Sequence, residues 1–262
     1  MSQLARPNVA AGVSAEVIQH SEGVTIGDHA HDEAQLSVVL KGTMKIRCDD
    51  GWWLAPAGRG IWVPAATAHA ASYSETASFV LLKIDPALAA TLPAEVRSIA
   101  VSDLLRELAL EICHGGTTAD PAEHELLAQL VLRRIRNAEK TPFLFLPTGN
   151  DRRVLRVTAL LQAHPGDNTS FDELAALTGS SRRTLSRLFL AETGMSFARW
   201  RDHLRIVTAL DRLVRGVPII TVAFDLGYNS QSSFTTMFTR IVGMPPGRFL
   251  KEGGGAPGGL QG

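Results

Sequence analysis

Residues 171–200 read FDELAALTGSSRRTLSRLFLAETGMSFARW, and residues 220–250 read ITVAFDLGYNSQSSFTTMFTRIVGMPPGRFL. The two stretches are imperfect copies of one pattern. Ala175 and Gly179 correspond to Ala223 and Gly227, 48 positions on. After one inserted residue, Leu185, Phe189, Gly194 and Trp200 correspond to Phe234, Phe238, Gly243 and Phe249, 49 positions on. Glycines and apolar anchors that repeat together mark a repeated structural unit.

Each copy has the form of a helix-turn-helix. In the first, Leu174, Ala175 and Leu177 or Thr178 fall at helical spacing from Phe171 to Thr178, and Gly179 ends the helix. Ser180 or Ser181 caps the next helix, which turns Leu185, Leu188 and Phe189 inward and Arg182, Arg183, Ser186 and Arg187 outward. The second copy has Val222, Ala223 and Leu226 inward, a break at Gly227, and Asn229 or Ser230 as cap. Phe234, Met237 and Phe238 then face in, while Gln231, Ser232, Thr235, Thr236 and Arg240 face out. A helix that enters the major groove needs polar side chains for base edges and basic ones for phosphates. The candidate DNA-reading residues are therefore Arg182, Arg183, Ser186 and Arg187 for one half-element. For the next they are Ser230, Gln231, Ser232, Thr235 and Thr236.

Ala223, Gly227, Tyr228, Ser230, Gln231, Phe234, Phe238, Gly243, Pro245 or Pro246, and Phe249 carry a family resemblance. Residues 150–250 resemble the DNA-binding domain of AraC/XylS-type transcription regulators. That resemblance implies seven helices and two helix-turn-helix units joined by a long helix, here Phe197 to Arg215, in which Trp200, Leu204, Val207 and Leu210 or Asp211 keep helical spacing. It also implies two recognition helices in successive major grooves, about 34 Å apart. Charge supports the division. Residues 148–262 hold 14 basic and 9 acidic side chains, and residues 1–147 hold 12 and 17, so a net charge of zero hides a basic C-terminal half. Thirteen of those 14 basic residues are arginine, the residue suited to bidentate phosphate and guanine contacts.

Upstream, from Ser14 to Pro86, the text changes to short β-type runs: AEVIQ, QLSVVL, TMKIRC, GWWLAP, GIWVP and SFVLLKI. Turn signals at Lys41-Gly42 and Asp49-Asp50-Gly51 separate them, as in a barrel or sandwich. Within this region His29, His31, Glu33 and Gln35 stand at every second position, which in one strand projects all four from one face. His69 follows in GRGIWVPAATAHAASY. The spacing of His29, His31, Gln35 and Gly42, and of Gly58, Pro64, Ala66, His69 and Tyr73, resembles the paired motifs of the cupin superfamily. Gln35 replaces the motif's acid, Ala66 its glycine and Tyr73 its asparagine. Gln35 is a neutral, weaker ligand, and Glu33 is the substitute if the strand shifts or bulges. Three histidines with an oxygen donor suit Zn²⁺, Fe²⁺, Ni²⁺ or Mn²⁺. The competing reading has the histidines line a polar pocket or pair with Asp28 and Glu33. Trp52, Trp62 and Tyr73 are candidate walls of an effector cavity, although alternation puts Trp52 and Trp53 on opposite faces.

Residues 87–140 read as helices. Val101, Leu104, Leu105, Leu108 and Ile112 form one apolar stripe, started by Ser102 or Asp103 and stopped by Gly115-Gly116. Leu126, Leu127, Leu130, Val131 and Ile135 form another, behind Asp120 and Pro121. The regulator resemblance implies a homodimer through residues 100–140. TPFLFLPTGN (141–150) reads as a linker too apolar to stay undocked, and Asp151 caps the helix that follows. Residues 253–262 read as a flexible tail.

The expected fold class is α+β in two domains. Residues 1–86 form a cupin-like antiparallel barrel that senses an effector or metal, 87–147 a helical dimerisation segment and linker, and 148–252 the all-α DNA-binding domain. The expected partners are double-stranded promoter DNA and a small-molecule or metal effector. Two cysteines make no disulfide framework, the first residues lack the apolar core of a signal peptide, and no run reaches the roughly 18 apolar residues of a membrane span, so a reducing cytoplasm is the expected compartment. The second functional reading is a metal-dependent cupin enzyme, an oxygenase or isomerase, with an attached helical domain. The three histidines favour it; the missing acid and the tandem repeat stand against it.

Overall fold

The computed structural model describes residues 12–73, 76–115 and 120–251. The proposed stop at Gly116 and the tail at 253–262 lie outside them. The chain divides into two compact units. One holds Ala55–Thr141 with the described residues up to Ile46; the other holds Arg47–Leu54 with those from Pro142 onward.

The strands among the described residues form two antiparallel five-stranded sheets. The strands are β1 (Val13–His20), β2 (Thr25–His29), β3 (Ala34–Lys41), β4 (Thr43–Cys48), β5 (Gly51–Pro56), β6 (Arg59–Val63), β7 (His69–Tyr73), β8 (Ala77–Ile84), β9 (Arg97–Ala100) and β10 (Phe145–Pro147). The sheets run β1–β8–β3–β6–β9 and β10–β5–β4–β7–β2. Strand β9 corrects the all-helical reading of residues 87–140: RSIA pairs with β6, Ile61 opposite Ser98. After a short helix α1 (Pro86–Ala89), capped by Asp85, come α2 (Asp103–Gly115) and α3 (Pro121–Asn137). Ser102 caps α2, its hydroxyl accepting from the Leu105 amide at 3.2 Å, and Asp120 caps α3 through Ala122.

Alternation along the first sheet decides what each face does. Leu36 and Val38 of β3, Trp62 of β6, and Val80, Leu82 and Ile84 of β8 share one core with Leu105, Leu108, Ile112, Val131 and Ile135 of the helices. Their neighbours in sequence, Gln35, Ser37, Ile61, Val63, Phe79, Leu81 and Lys83, point to the other face, which is the interior of the sandwich. The stripe on α3 also differs from expectation. His124, Ala128, Val131 and Ile135 are buried, while Leu126 and Leu130 are 62% and 43% exposed.

The second unit has α4 (Arg152–Ala163), α5 (Phe171–Leu177), α6 (Arg182–Thr193), α7 (Phe197–Val214), α8 (Ile219–Asp225), α9 (Gln231–Val242) and α10 (Pro246–Lys251). Two cores hold it. One gathers Val154, Val157, Leu161, Leu174, Leu185, Phe189, Trp200 and Leu204; the other gathers Ile206, Leu210, Val222, Leu226, Phe234, Phe238 and Phe249. Helix α7 serves both, which is why nearly every residue from His203 to Leu213 is buried. Each fully buried Phe contributes on the order of 1.5–3 kcal/mol. The apolar segment before Asp151 docks as expected: Leu144 joins the second core, Leu146 the first, and Pro147 O accepts from Trp200 Nε1 at 2.6 Å.

Candidate functional site

Two helix-turn-helix units are in place. In the first, Ser170 and Glu173 form a reciprocal capping box on α5, and Ser181 rather than Ser180 caps α6, accepting from the Thr184 amide at 3.2 Å. In the second, Ser230 rather than Asn229 caps α9, accepting from Ser233 at 3.1 Å. Gly179 and Gly227 both take left-handed backbone at the turn, as do Gly194 and Gly243 at the helix ends. The repeat seen in the sequence is thus a repeat of caps and turns.

Buried Leu185 and Phe189 fix the rotation of α6 and leave Arg183, Ser186 and Arg187 exposed. Buried Phe234, Met237 and Phe238 do the same for α9, exposing Gln231, Ser232 and Thr236. Arg183, Arg187 and Gln231 make no side-chain hydrogen bond or ion pair among the described residues. Arg182 differs, because it pairs with Asp172 of α5 at 2.6 Å. Thr235 is half-buried, and Thr236 donates back to the Ser232 carbonyl at 3.0 Å.

In the first unit the three histidines converge. His29 ends β2 and lies directly opposite His69 at the start of β7, and His31 comes from the link to β3. One ligand atom from each ring lies within 4.8 Å of the others. This corrects the single-strand reading. The chain turns between His29 and Ala34, so the every-second-position pattern does not arise from one strand. Glu33 falls in that turn, exposed and outside the three-histidine cluster. Gln35, on β3, is 6% exposed and faces the sandwich interior beside Lys83, its cross-strand partner.

The rings are oriented for a metal. His29 Nδ1 lies 2.7 Å from Gly27 O, and His69 Nδ1 lies 2.9 Å from Thr67 O. A carbonyl only accepts, so Nδ1 carries the proton and Nε2 keeps the lone pair that a metal needs. Burial, and then repulsion from His29 and His69, holds His31 below the usual imidazole value; burial likewise lowers His69. Both effects favour the neutral, ligating form. Ala66, where the cupin motif has glycine, adopts left-handed backbone with φ +57° and sends its amide to the His31 carbonyl at 2.8 Å. Three imidazoles, two of them anchored in this way, fit a borderline divalent ion such as Zn²⁺, Fe²⁺, Ni²⁺ or Mn²⁺.

The aromatic candidates separate. Trp62 is fully buried on the helix-covered face, its Nε1 donating to Pro93 O at 2.7 Å, so it does not wall the interior. Trp52 packs against the Trp200 core of the second unit and does not wall it either. Tyr73 does share the His69 face. It lies four residues further along β7 and stacks with Phe79 and His20, centroids 5.8 and 4.5 Å away. Lys83 was not among the sequence candidates. The alternation in SFVLLKI, with Phe79 and Leu81 facing in, is the signal that places it.

A family model for the AraC-like ligand binding domain matches residues 13–163, and one for a helix-turn-helix domain matches residues 174–252. The chain belongs to the AraC family of transcription regulators. It therefore pairs a ligand-binding N-terminal domain with a DNA-binding helix-turn-helix domain. It is 30% identical to the regulator NimR of Escherichia coli K12 over 224 residues, 85% of this chain and 81% of that protein. To RipA of Corynebacterium glutamicum it is 36% identical over 125 residues, 48% of this chain and 37% of that one. Among solved structures, ToxT from Vibrio cholerae is similar over 92% of this chain and 98% of its own, with 12% identity and a TM-score of 0.39. These relatives are named as regulators, not as enzymes. No helix among the described residues is long and apolar enough to cross a membrane.

Proposed function

We propose that this AraC-family regulator binds promoter DNA as a homodimer and senses its effector through a divalent transition metal held by His29, His31 and His69. Helices α6 and α9 read successive half-elements, with Arg183, Ser186 and Arg187 on one and Gln231, Ser232 and Thr236 on the other. Arg182 acts mainly by bracing α6 against Asp172, Ser230 by capping α9, and Thr235 at the groove edge. Leu126 and Leu130 of α3 with Leu104 of α2, all exposed, supply the apolar part of the dimer surface. A cytoplasmic site of action follows from the need to reach the promoter.

The observation that carries the sensing half is the anchoring of the imidazoles. Two of three rings spend their Nδ1 proton on a backbone carbonyl, which leaves the ligating nitrogens free to converge. Elemental analysis of the purified chain beside a His29→Ala/His31→Ala variant tests it. About one metal per chain in the parent and none in the variant is expected. No metal in the parent after reconstitution with Zn²⁺, Fe²⁺, Ni²⁺ or Mn²⁺ would refute the reading and leave the histidines as polar lining of an organic-ligand pocket.

A further inference from the structure

We infer that the effector sensed in the N-terminal unit is a small anion, a carboxylate or related oxyanion, which completes the coordination of the metal and accepts a hydrogen bond from Gln35. The inference rests on the metal reading above, and two observations point from that site to a negative charge.

The first is the charge of the ligand set. In the cupin pattern an acid stands where this chain has Gln35, and it would cancel one of the ion's two charges. Here the cluster offers three neutral imidazoles, and among the described residues no carboxylate belongs to it. Glu33 is exposed and outside the cluster, and Glu16, which faces the same interior, pairs with Lys83 at 2.7 Å. A divalent ion held by such a set keeps both charges in a partly buried pocket. There an unbalanced charge is costly and a bound anion is strongly favoured.

The second observation is independent of any metal. Gln35 is 6% exposed, and its Nε2 has no hydrogen-bond partner among the described residues. A buried donor without an acceptor costs about 1–3 kcal/mol. If the amide is turned over, the unpartnered atom is the oxygen instead. In the orientation present it is a donor that lacks an acceptor. An anionic oxygen on the metal satisfies both the charge and the donor at once.

Size follows from the rest of the interior. Tyr73, Phe79 and His20 stack on the same face four residues beyond His69, roughly 13 Å along the strand. They occupy that end of the interior face, which favours a small acid over a long chain as the ligand.

The test uses the full chain loaded with Co²⁺, whose visible absorption reports its ligands. Azide and acetate are titrated in, with acetamide as the neutral isostere, in the parent and in Gln35→Glu. The expected result is a saturable change in the Co²⁺ bands with azide and acetate and none with acetamide. Gln35→Glu, which restores the acid, should hold Co²⁺ at least as tightly and bind the anions weaker by about tenfold or more. Co²⁺ binding with no anion response in the parent would overturn the inference while leaving the metal site standing. Equal anion affinity in Gln35→Glu would overturn the role given to Gln35. Absence of Co²⁺ binding would bring down the metal reading and this inference together. The parent titration stands by itself if the variant fails to fold.

Discussion

The Arg205 guanidinium lies over the Tyr228 ring, 5.1 Å from its centroid, and joins the two helix-turn-helix units by a route other than the length of α7. From α7 it also donates to Asn168 Oδ1 at 2.7 Å and to Pro165 O at 3.3 Å, in the turn that leads into the first unit. Asn168 Nδ2 in turn donates to Gly227 O at 3.1 Å, in the turn of the second. The two turns meet so closely that a Cβ on Gly166 would collide with Asp225 O, and one on Gly227 with Gly166 O. The recognition helices are therefore held at one separation.

Loss of this tie should show in both stability and spacing. Arg205 is 7% exposed, so Arg205→Ala removes a buried side chain together with its hydrogen bonds to part-buried acceptors and is expected to cost about 1–3 kcal/mol. Arg205→Lys keeps the charge without the fork and should cost less. Denaturant midpoints measure the first effect. For the second, binding is compared on operators with one or two base pairs inserted between half-elements. The parent should reject the insertions, and Arg205→Ala should discriminate less. An unchanged preference in Arg205→Ala would leave Arg205 with a purely structural role.

Ala66 should be improvable. A non-glycine residue in left-handed backbone costs roughly 1–2 kcal/mol, and glycine returns part of that as entropy in the unfolded chain. Ala66→Gly is expected to raise stability by up to about 1 kcal/mol, and Ala66→Val to lower it by more than that. Ala66→Val should also weaken metal binding, because the Ala66 amide holds the His31 carbonyl. Melting curves with and without Zn²⁺ check both. A less stable Ala66→Gly would contradict the strain assigned to this position.

Acid should destabilise the chain through His203. Burial, then repulsion from Arg199, lowers its pKa below the ordinary 6.5, against an opposing hydrogen bond to the Phe145 carbonyl and the charge of Asp202. The unfolded chain then binds more protons between the lowered value and 6.5, so stability rises with pH in that window and is lost as pH falls through it. His31 and His69 act with the same sign. His203→Gln should flatten part of the fall in melting temperature between pH 7.5 and pH 5.5, taken here as about one unit either side of an unperturbed imidazole. A slope identical to the parent's would show that His203 does not contribute.

Much of this was legible in the sequence because the deciding residues are punctuation. Gly179, Gly227, Gly194 and Gly243 have few alternatives at left-handed caps, and the aromatic anchors Phe189, Trp200, Phe238 and Phe249 recur at matched positions. The histidine trio was legible as spacing and not as geometry. Periodicity assumes a straight strand, and the chain turns at residues 30–33. Alternation places Ile61 and Trp62 on opposite faces but does not say which face the helices cover; packing puts Trp62 on the covered one. On α3, Leu126 and Leu130 compete with Val131 and Ile135 for the same helical period, and only packing against the sheet chooses between them. Strand β9 escaped because four residues, RSIA, carry too little pattern to stand out.

On the proposed function, α6 and α9 read two separate half-elements. The most direct test selects DNA on the full-length protein and footprints the selected site with the parent, Arg183→Ala and Gln231→Ala. Two half-elements centred about one helical turn apart are expected, with Arg183→Ala losing protection at one and Gln231→Ala at the other. Loss at the same positions in both variants, or a selected site with one element alone, would contradict it.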